Sequence, residues 1–342
     1  MTKPQQKNQP SNQLIYGAGL IGGYLAGCLI NAKFKPILVA RPRTIEAMAN
    51  GLHISDFLGN EQSLPAPKFI QDDEPFEQNV DILWLTLKCT SIETSIGALK
   101  KFIGPNTTII CCQNGLGSDK IIADAFPKNP VLRAIFGFNV VEKKPGYLHR
   151  STQGELVFES NNKTNELANK LNSDLLPVKI SNDITAQQWA KLQINLSNAL
   201  NALSDIPLKA MMEDRAYRKI MALMMQEMLA VTDTLKLELP KLTALPAHWF
   251  PKMLRLPNGL FKILAKQMLA IDPTARLSMW WDLSVGKKTE IEFLNGALVQ
   301  RAQDLGIDCP VNQKMAELIK EVELGNKEIG MSAQFLTQQI NA

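Results

Sequence analysis

Gly17, Gly19 and Gly22, within the run LIYGAGLIGGYLAGC from Leu14 to Cys28, have the spacing G-x-G-x-x-G. In that pattern the first glycine allows a tight turn, the second lets backbone come close to a pyrophosphate, and the third lets a helix pack tightly on the preceding strand. The whole turn, Gly17-Ala18-Gly19-Leu20-Ile21-Gly22, is therefore a candidate anion site, with the N-terminus of the following helix facing the phosphate. A second candidate is Arg41, which comes after the next apolar run, Ile37-Leu38-Val39-Ala40. An acidic residue at that place, about 20 residues past the glycines, would accept hydrogen bonds from the ribose hydroxyls of NAD. An arginine there pairs instead with the 2′-phosphate of NADP (NADPH). The third group is Lys191, Asn195 and Asn198, at i, i+4 and i+7 of the segment QWAKLQINLSNALNAL, so that they project from one face of a helix. Asparagine is a poor helix former, and a polar stripe on a helix of Leu, Ile and Ala is costly if buried without partners. The stripe points to a wet cleft.

The glycine run has other readings. Lys3 and Lys7 ahead of an apolar stretch and Leu25-Ala26-Gly27-Cys28 fit a bacterial lipoprotein signal. Leu14 to Ala32 carries no charge, and Gly19, Gly23 and Gly27 are spaced as in a membrane helix pair. The residues from Lys35 to Arg41 decide between them. A second apolar run after a helix of suitable length makes a strand, turn, helix, strand unit, and cleavage at Cys28 would leave the second strand without its partner.

The elements that must position these residues come from the periodicity. A chain of 342 residues implies two domains. Met1 to Ser11 is polar and has nothing to bury, so it is expected to be a disordered tail. From 12 to 181 short β-rich runs alternate with helical ones, the pattern of an α/β sheet covered on both faces; from 182 to 342 nearly everything reads as helix. Val80–Leu87 is a central parallel strand ending at Lys88, and Thr107–Cys112 is another ending at Asn114, so both side chains stand at carboxyl ends of strands, where open α/β sheets bind ligands. Val131–Val141, Tyr147–Thr152 and Glu155–Glu159 are expected to be antiparallel, their connections being too short for crossovers. Leu239 to Pro273, with several prolines, is the least regular stretch.

Composition narrows the partners. A net charge of +4 from scattered Lys and Arg argues against nucleic acid, and interspersed polar groups argue against a membrane span in the Met-rich helix. Five cysteines without a C-x-x-C pair and three histidines supply no metal site. They suit a reducing cytoplasm. Cys111 and Cys112 read as strand packing and His149 as structural. Ser278 before Trp280-Trp281, and Glu290 after a Thr289 that can cap a helix, have no assigned chemistry from spacing alone.

Together GAGLIG at Gly17–Gly22, VAR ending at Arg41, TLK at Lys88, QNG around Asn114, KLQIN at 191–195, S-M-W at Ser278 and TEIEFLNG around Glu290 make the chain similar to the ketopantoate reductases (2-dehydropantoate 2-reductases). The resemblance spans nearly everything after the tail. It implies a Rossmann-type dinucleotide-binding domain followed by an all-helical domain, an active site in the cleft between them, and NADPH-dependent reduction of a small 2-keto acid in pantothenate biosynthesis by a monomer or homodimer. On that likeness Lys191 is the general acid, Asn195 and Asn198 orient substrate and lysine, and Ser278 holds the substrate carboxylate. Glu290, Asn114 and Lys88 then join the glycine turn and Arg41 around the cofactor. One departure stands out: the family's second asparagine lies eight residues beyond the lysine, where this chain has Ala199, with Asn198 one place earlier. Another 2-oxo acid, an opine-type reductive amination, or a regulator that binds NADPH without turnover are the competing readings.

Overall fold

The computed structural model describes residues 11–341 apart from 242–244, 267 and 271; the expected tail lies, but for Ser11, outside the described residues. Contacts divide the chain into one unit of residues up to Gln113 with Ser118–Ile184, and another of Asn114–Gly117 with the residues from Thr185 onward. The expectation of one cut, at 181/182, did not foresee that the four residues Asn114–Gly117 are counted with the second unit.

In the first unit the strands are β1 (Gln13–Tyr16), β2 (Ile37–Val39), β3 (Leu52–Asp56), β4 (Glu61–Leu64), β5 (Lys68–Ile70) and β6 (Ile82–Leu85). They continue as β7 (Thr108–Cys111), β8 (Val131–Phe136), β9 (Val140–Lys144), β10 (Tyr147–Arg150), β11 (Leu156–Glu159) and β12 (Val178–Ser181). Its helices are α1 (Leu20–Asn31), α2 (Pro42–Met48), α3 (Ile92–Leu99), α4 (Ser118–Ala125) and α5 (Asn162–Leu171). Eight strands form one sheet in the order β12-β11-β8-β7-β6-β1-β2-β5, parallel from β8 through β5. The central strands β1, β6 and β7 are buried throughout, as near-continuous apolar runs covered on both faces should be.

The later strands meet the antiparallel expectation, except that β10 also pairs in parallel with β3. β8 with β11 and β9 with β10 are antiparallel, but α5 supplies a crossover long enough to bring β12 in parallel to β11. The expected run Val131–Val141 is also broken. Gly137 donates its N–H to the Glu155 carbonyl at 2.8 Å, and a Cβ there would lie 2.9 Å from the same oxygen. Beyond it the chain enters a second sheet, β4-β3-β10-β9. This sheet explains why α1 is apolar on every side: a Cβ on Gly23 would meet Leu148 at 2.6 Å and one on Gly27 would meet Ile54 at 2.5 Å. The stripe of small residues lets a sheet, not lipid, approach the helix. Among the described residues no helix is long and apolar enough to cross a membrane.

The second sheet is pinned by a buried ion pair. Arg150 Nη2 donates to Asp56 Oδ2 at 2.9 Å and to the Asp174 carbonyl at 2.8 Å, and the Arg150 and Asp56 side chains are almost wholly buried. Burial alone would raise the Asp56 carboxyl, but hydrogen bonds from Asn60, Arg150 and the N–H groups of Asn60 and Leu58 outweigh it and hold the carboxyl below its usual range.

The second unit contains α6 (Ile184–Asn195), α7 (Ser197–Ser204), α8 (Leu208–Glu213), α9 (Arg215–Thr234), α10 (Phe250–Leu254), α11 (Asn258–Leu264), α12 (Ser278–Ser284), α13 (Asn295–Asp304), α14 (Pro310–Glu323) and α15 (Ala333–Asn341), α6 beginning at the division between units. The single helix expected over 188–203 is two, α6 and α7, separated at Leu196. Ser197 Oγ donates to the Ile194 carbonyl at 2.7 Å beside this break. The irregular stretch after Leu239 is anchored by Arg218 of α9, which is 0% exposed. Its guanidinium donates to the carbonyls of Leu254, Met212 and Leu256 and to Asn258 Oδ1 at 2.9–3.0 Å, and stacks 4.0 Å from the Phe261 ring centroid.

Removing one partner of a buried ion pair leaves an uncompensated charge. Asp56→Asn is therefore expected to cost about 3–5 kcal/mol near neutral pH. Because the folded-state value of Asp56 is depressed, its contribution is present above the ordinary carboxylate range, about 3.9, and is lost as pH falls through the lower folded value. Denaturant melts of wild type and variant should converge on acidification, and a gap that stays constant below about pH 3 would contradict this origin.

Candidate cofactor-binding and catalytic residues

The order of the large sheet reverses between β1 and β6, and ligands bind outside the carboxyl ends of strands at such a switch point. Gly17 comes directly after β1 with φ +117°, a conformation suited to glycine, and a Cβ there would lie 2.8 Å from the Leu87 nitrogen. A Cβ on Gly22 would lie 2.0 Å from the Gly17 carbonyl oxygen and 2.7 Å from Thr86 Oγ1. Thr86 Oγ1 itself donates to the Gly17 carbonyl at 2.6 Å. Gly19 behaves differently. It precedes α1 without any side-chain cap, and a Cβ on it would meet nothing within 4 Å. Backbone at Gly19 is thus open to a ligand, beside helix N–H groups that lack a side-chain acceptor. Ala18 and Ile21 are half-buried and Leu20 exposed around it.

Arg41 is exposed immediately after β2, at the start of α2, where its carbonyl accepts from the N–H of Thr44 at 2.9 Å and of Ile45 at 3.1 Å. Lys88 is exposed beyond β6, and its carbonyl accepts from Ser91 N–H at 3.0 Å in a 3₁₀ turn that leads into α3. Ser91, the residue before α3, makes no side-chain cap. Sequence reasoning missed Gln113. It is buried, its Nε2 donates to the Leu85 carbonyl at 2.6 Å and the Leu87 carbonyl at 3.3 Å, and so it ties the end of β7 to the end of β6. Its only signal was its place beside Asn114.

In the second unit Asn114 and Glu290 belong to segments that are joined. A Cβ on Gly115 would lie 2.1 Å from the Phe293 carbonyl oxygen, which also accepts Leu116 N–H at 2.9 Å. Phe293 N–H donates to the Glu290 carbonyl at 3.0 Å, closing a 3₁₀ turn over Ile291–Phe293. Thr289 Oγ1 accepts from Ile291 N–H at 3.2 Å, so the expected cap exists, on a 3₁₀ turn instead of an α-helix.

On α6 and α7, Lys191 and Asn195 are half-buried, while Asn198 is only 7% exposed. The stripe therefore runs from the half-buried Lys191 and Asn195 onto α7, every residue of which is buried. Ser197 and Ser204 satisfy their hydroxyls on carbonyls within four residues of themselves. Asn201 accepts from Leu277 N–H and donates to the Ile206 carbonyl, both at 2.9 Å. Among the described residues the side chains of Asn195, Asn198 and Ser278 have no hydrogen-bond partner. The Asn201 clamp holds the residue directly before Ser278 against the helix that bears Asn198. Asp205, left-handed at φ 53°, strengthens the link by accepting from Arg276 at 2.9 Å and Trp280 Nε1 at 2.7 Å. Asn201 and Asp205 were also missed; a third asparagine three residues after Asn198 was the available sign.

Other groups are excluded by their surroundings. His149 Nδ1 pairs with Ser55 Oγ at 2.7 Å in the second sheet, and burial lowers its basicity. All five cysteines are free thiols, and burial pushes Cys28, Cys111 and Cys309 upward, away from the thiolate a nucleophile needs. Among the described residues no group of His, Cys, Asp or Glu could hold a metal.

A doubly wound α/β unit with an open glycine turn at its switch point, followed by a helical unit, is the architecture of a two-part dinucleotide-binding protein. The family description "Ketopantoate reductase PanE/ApbA" matches residues 13–163 and its C-terminal counterpart matches 183–323. The chain belongs to this family. It is 26% identical over 329 residues to a 2-dehydropantoate 2-reductase of Archaeoglobus fulgidus, covering 91% of this chain and 97% of that protein. A crystal structure of a PanE/ApbA family ketopantoate reductase from Ralstonia eutropha JMP134 superposes with a TM-score of 0.76 at 25% identity, over 92% of this chain and all (100%) of that one. The fold is also that of D-mandelate dehydrogenase in complex with NADH and anilino(oxo)acetate, at TM-score 0.73 and 21% identity over 92% and 99% of the two chains.

The glycines separate packing from binding. Gly22→Ala places a methyl against backbone and is expected to lower the melting temperature, whereas Gly19→Ala has room and an ordinary φ of −78° and should leave it unchanged or slightly raised. Gly19→Ala should nonetheless weaken dinucleotide binding, measured by fluorescence titration, by at least about tenfold, since a close backbone approach is blocked. Unchanged binding in a folded Gly19→Ala protein would remove the turn from the cofactor site.

Proposed function

We propose that the protein is an NADPH-dependent reductase of a small 2-keto acid, with 2-dehydropantoate as the favoured substrate and pantoate as the product, acting in pantothenate biosynthesis in the cytoplasm. The observation that carries this reading is Asn198: an amide only 7% exposed, without a partner among the described residues, on the helix that clamps the approach to Ser278. Among the described residues the fully buried unpaired side-chain atoms belong to Gln113, Arg150 and Asn295, so the Asn198 amide stays accessible to a ligand that can pair with it. A 2-keto acid offers what the residues lack, a ketone oxygen and a carboxylate that accept hydrogen bonds.

The residues present fit the cofactor. The open backbone at Gly19 and the uncapped start of α1 suit its pyrophosphate, and the exposed guanidinium of Arg41 suits a 2′-phosphate. When bound, NADPH would supply hydride to the ketone carbon. In this reading Lys191 gives a proton to the oxygen as it becomes an alkoxide, a role worth about 10²–10⁴ in rate. Asn195 and Asn198 orient that oxygen and the lysine, Ser278 donates to the carboxylate, and Lys88, Asn114 and Glu290 line the cofactor side.

Three substitutions test the assignments. Lys191→Ala is expected to reduce kcat by at least about 10²-fold while NADPH binding is nearly unchanged. Asn198→Ala should keep or raise the melting temperature yet lower kcat/KM by about 1.5–3 kcal/mol, the scale of a hydrogen bond to a charged group. Arg41→Ala should erode the preference for NADPH over NADH by a similar amount. Full kcat in Lys191→Ala would refute the acid, and a large loss of stability in Asn198→Ala would show a structural amide instead of a substrate ligand. Binding of NADPH with no turnover of any 2-keto acid by the wild type would favour a regulator.

A further inference from the structure

The distribution of charge along the chain is uneven in one place. From Leu239 to Ile271 there is no Asp or Glu, while Lys241, Lys252, Arg255, Lys262 and Lys266 all fall within it. The whole chain has 37 Lys and Arg against 33 Asp and Glu, so the sequence outside this stretch is close to neutral, at −1, and the stretch alone carries the excess. The same stretch exposes aliphatic surface. On α11, Leu260, Ile263 and Leu264 stand at i, i+3 and i+4 and are 46%, 74% and 62% exposed. The opposite side of this short helix is fixed: Phe261 is wholly buried under the Arg218 guanidinium, and Asn258 Oδ1 accepts from Arg218 at 2.9 Å. The helix is thus anchored by its inner face with its apolar outer face in solvent. Lys262 and Lys266 are exposed beside it, Lys262 within 3.8 Å of Glu213. Earlier in the stretch Trp249 is exposed, with Lys252 lying 4.9 Å from its ring centroid.

We propose that α11 and the lysines of this stretch form a docking surface for an anionic lipid bilayer. Aliphatic side chains flanked by lysine, with a tryptophan nearby, are the composition that partitions into the headgroup boundary, where apolar burial and attraction to anionic lipid add. No membrane span is involved. A two-fold contact between copies would set this lysine-rich surface against itself; Glu213 offsets Lys262, and the remaining like charge opposes that occupant. Nucleic acid would engage the lysines but gain nothing from three solvent-facing aliphatic side chains. The surface is separate from the residues assigned to the reaction, and the proposal does not depend on the activity.

The test is co-sedimentation of the full chain with vesicles of phosphatidylcholine alone, or with about one third phosphatidylglycerol, at low salt and at about 0.5 M salt. Binding to the anionic vesicles at low salt is expected, at least about tenfold weaker with neutral vesicles or high salt. Two double variants, Ile263→Asp with Leu264→Asp and Lys262→Glu with Lys266→Glu, should each lose at least about tenfold in binding with unchanged melting temperatures, while Lys144→Glu on β9 has no effect. Because the lysine pair changes only exposed charge, it carries the test if the aspartates perturb folding. No binding at low salt, equal binding to both vesicle types, or wild-type binding by the folded lysine variant overturns the proposal. A concentration-dependent dimer that the aspartate variant abolishes, with no vesicle binding, would assign the face to a second copy of the chain.

Discussion

The first unit depends on a contact that only glycine permits, the approach of α1 at Gly22 to the carbonyl of Gly17, where an added Cβ would sit 2.0 Å from oxygen. Thr86 at the end of β6 donates to the same carbonyl. One oxygen therefore gathers the turn after β1, the first turn of α1 and the end of the neighbouring strand. With these three fixed, the start of α1 is aimed outward at the switch point of the sheet, and Gly19 is left as open backbone. The helix can lie this close because its other face is also made of glycines, which admit the second sheet at Leu148 and Ile54. The close packing of α1 and the open backbone at Gly19 are consequences of the same spacing.

The second unit uses buried polar groups in a comparable way. Arg218 satisfies its guanidinium on neutral acceptors, and burial lowers its basicity, so it acts as a multidentate peg for carbonyls around α8, α10 and α11. Glu227 accepts from the N–H groups of Val311 at 2.8 Å and Asn312 at 2.9 Å, and so neutralises the positive end of α14. Asn201 joins α7 to the residue before Ser278. Against this background Asn195, Asn198 and Ser278 have side chains without a hydrogen-bond partner among the described residues, as does the buried Asn295 Oδ1 in the core.

The features legible in the sequence were those set by local spacing. The glycine turn, the strand ends at Lys88 and Asn114, and the change from β-rich to helical periodicity all depend on residues close together in the chain. What escaped was long-range. The parallel pairing of β10 with β3 and the Asp56–Arg150 ion pair join residues far apart in sequence, and β4, with its polar residues Glu61, Gln62 and Ser63 exposed, has no strand pattern to read. Buried charges such as Arg218 look like surface charges on a helical wheel. The break at Leu196 was hidden because both flanking segments are good helix, and the place of Asn114–Gly117 in the second unit comes from long-range contacts, the Leu116 N–H bond to Phe293 and the packing of Leu116 on that unit's core. Candidate site residues stood out where several motifs occur in family order; the burial of Asn198 did not, since its neighbours had to be in place first.

The central claim is that this chain transfers reducing equivalents from NADPH to a small 2-keto acid. The most direct measurement is steady-state oxidation of NADPH, and separately of NADH, by the purified full chain across a panel of 2-keto acids that includes 2-dehydropantoate and phenylglyoxylate. The account predicts turnover with 2-dehydropantoate at the highest kcat/KM and with NADPH over NADH. Equal use of both cofactors, or a panel in which 2-dehydropantoate is inert, would contradict it.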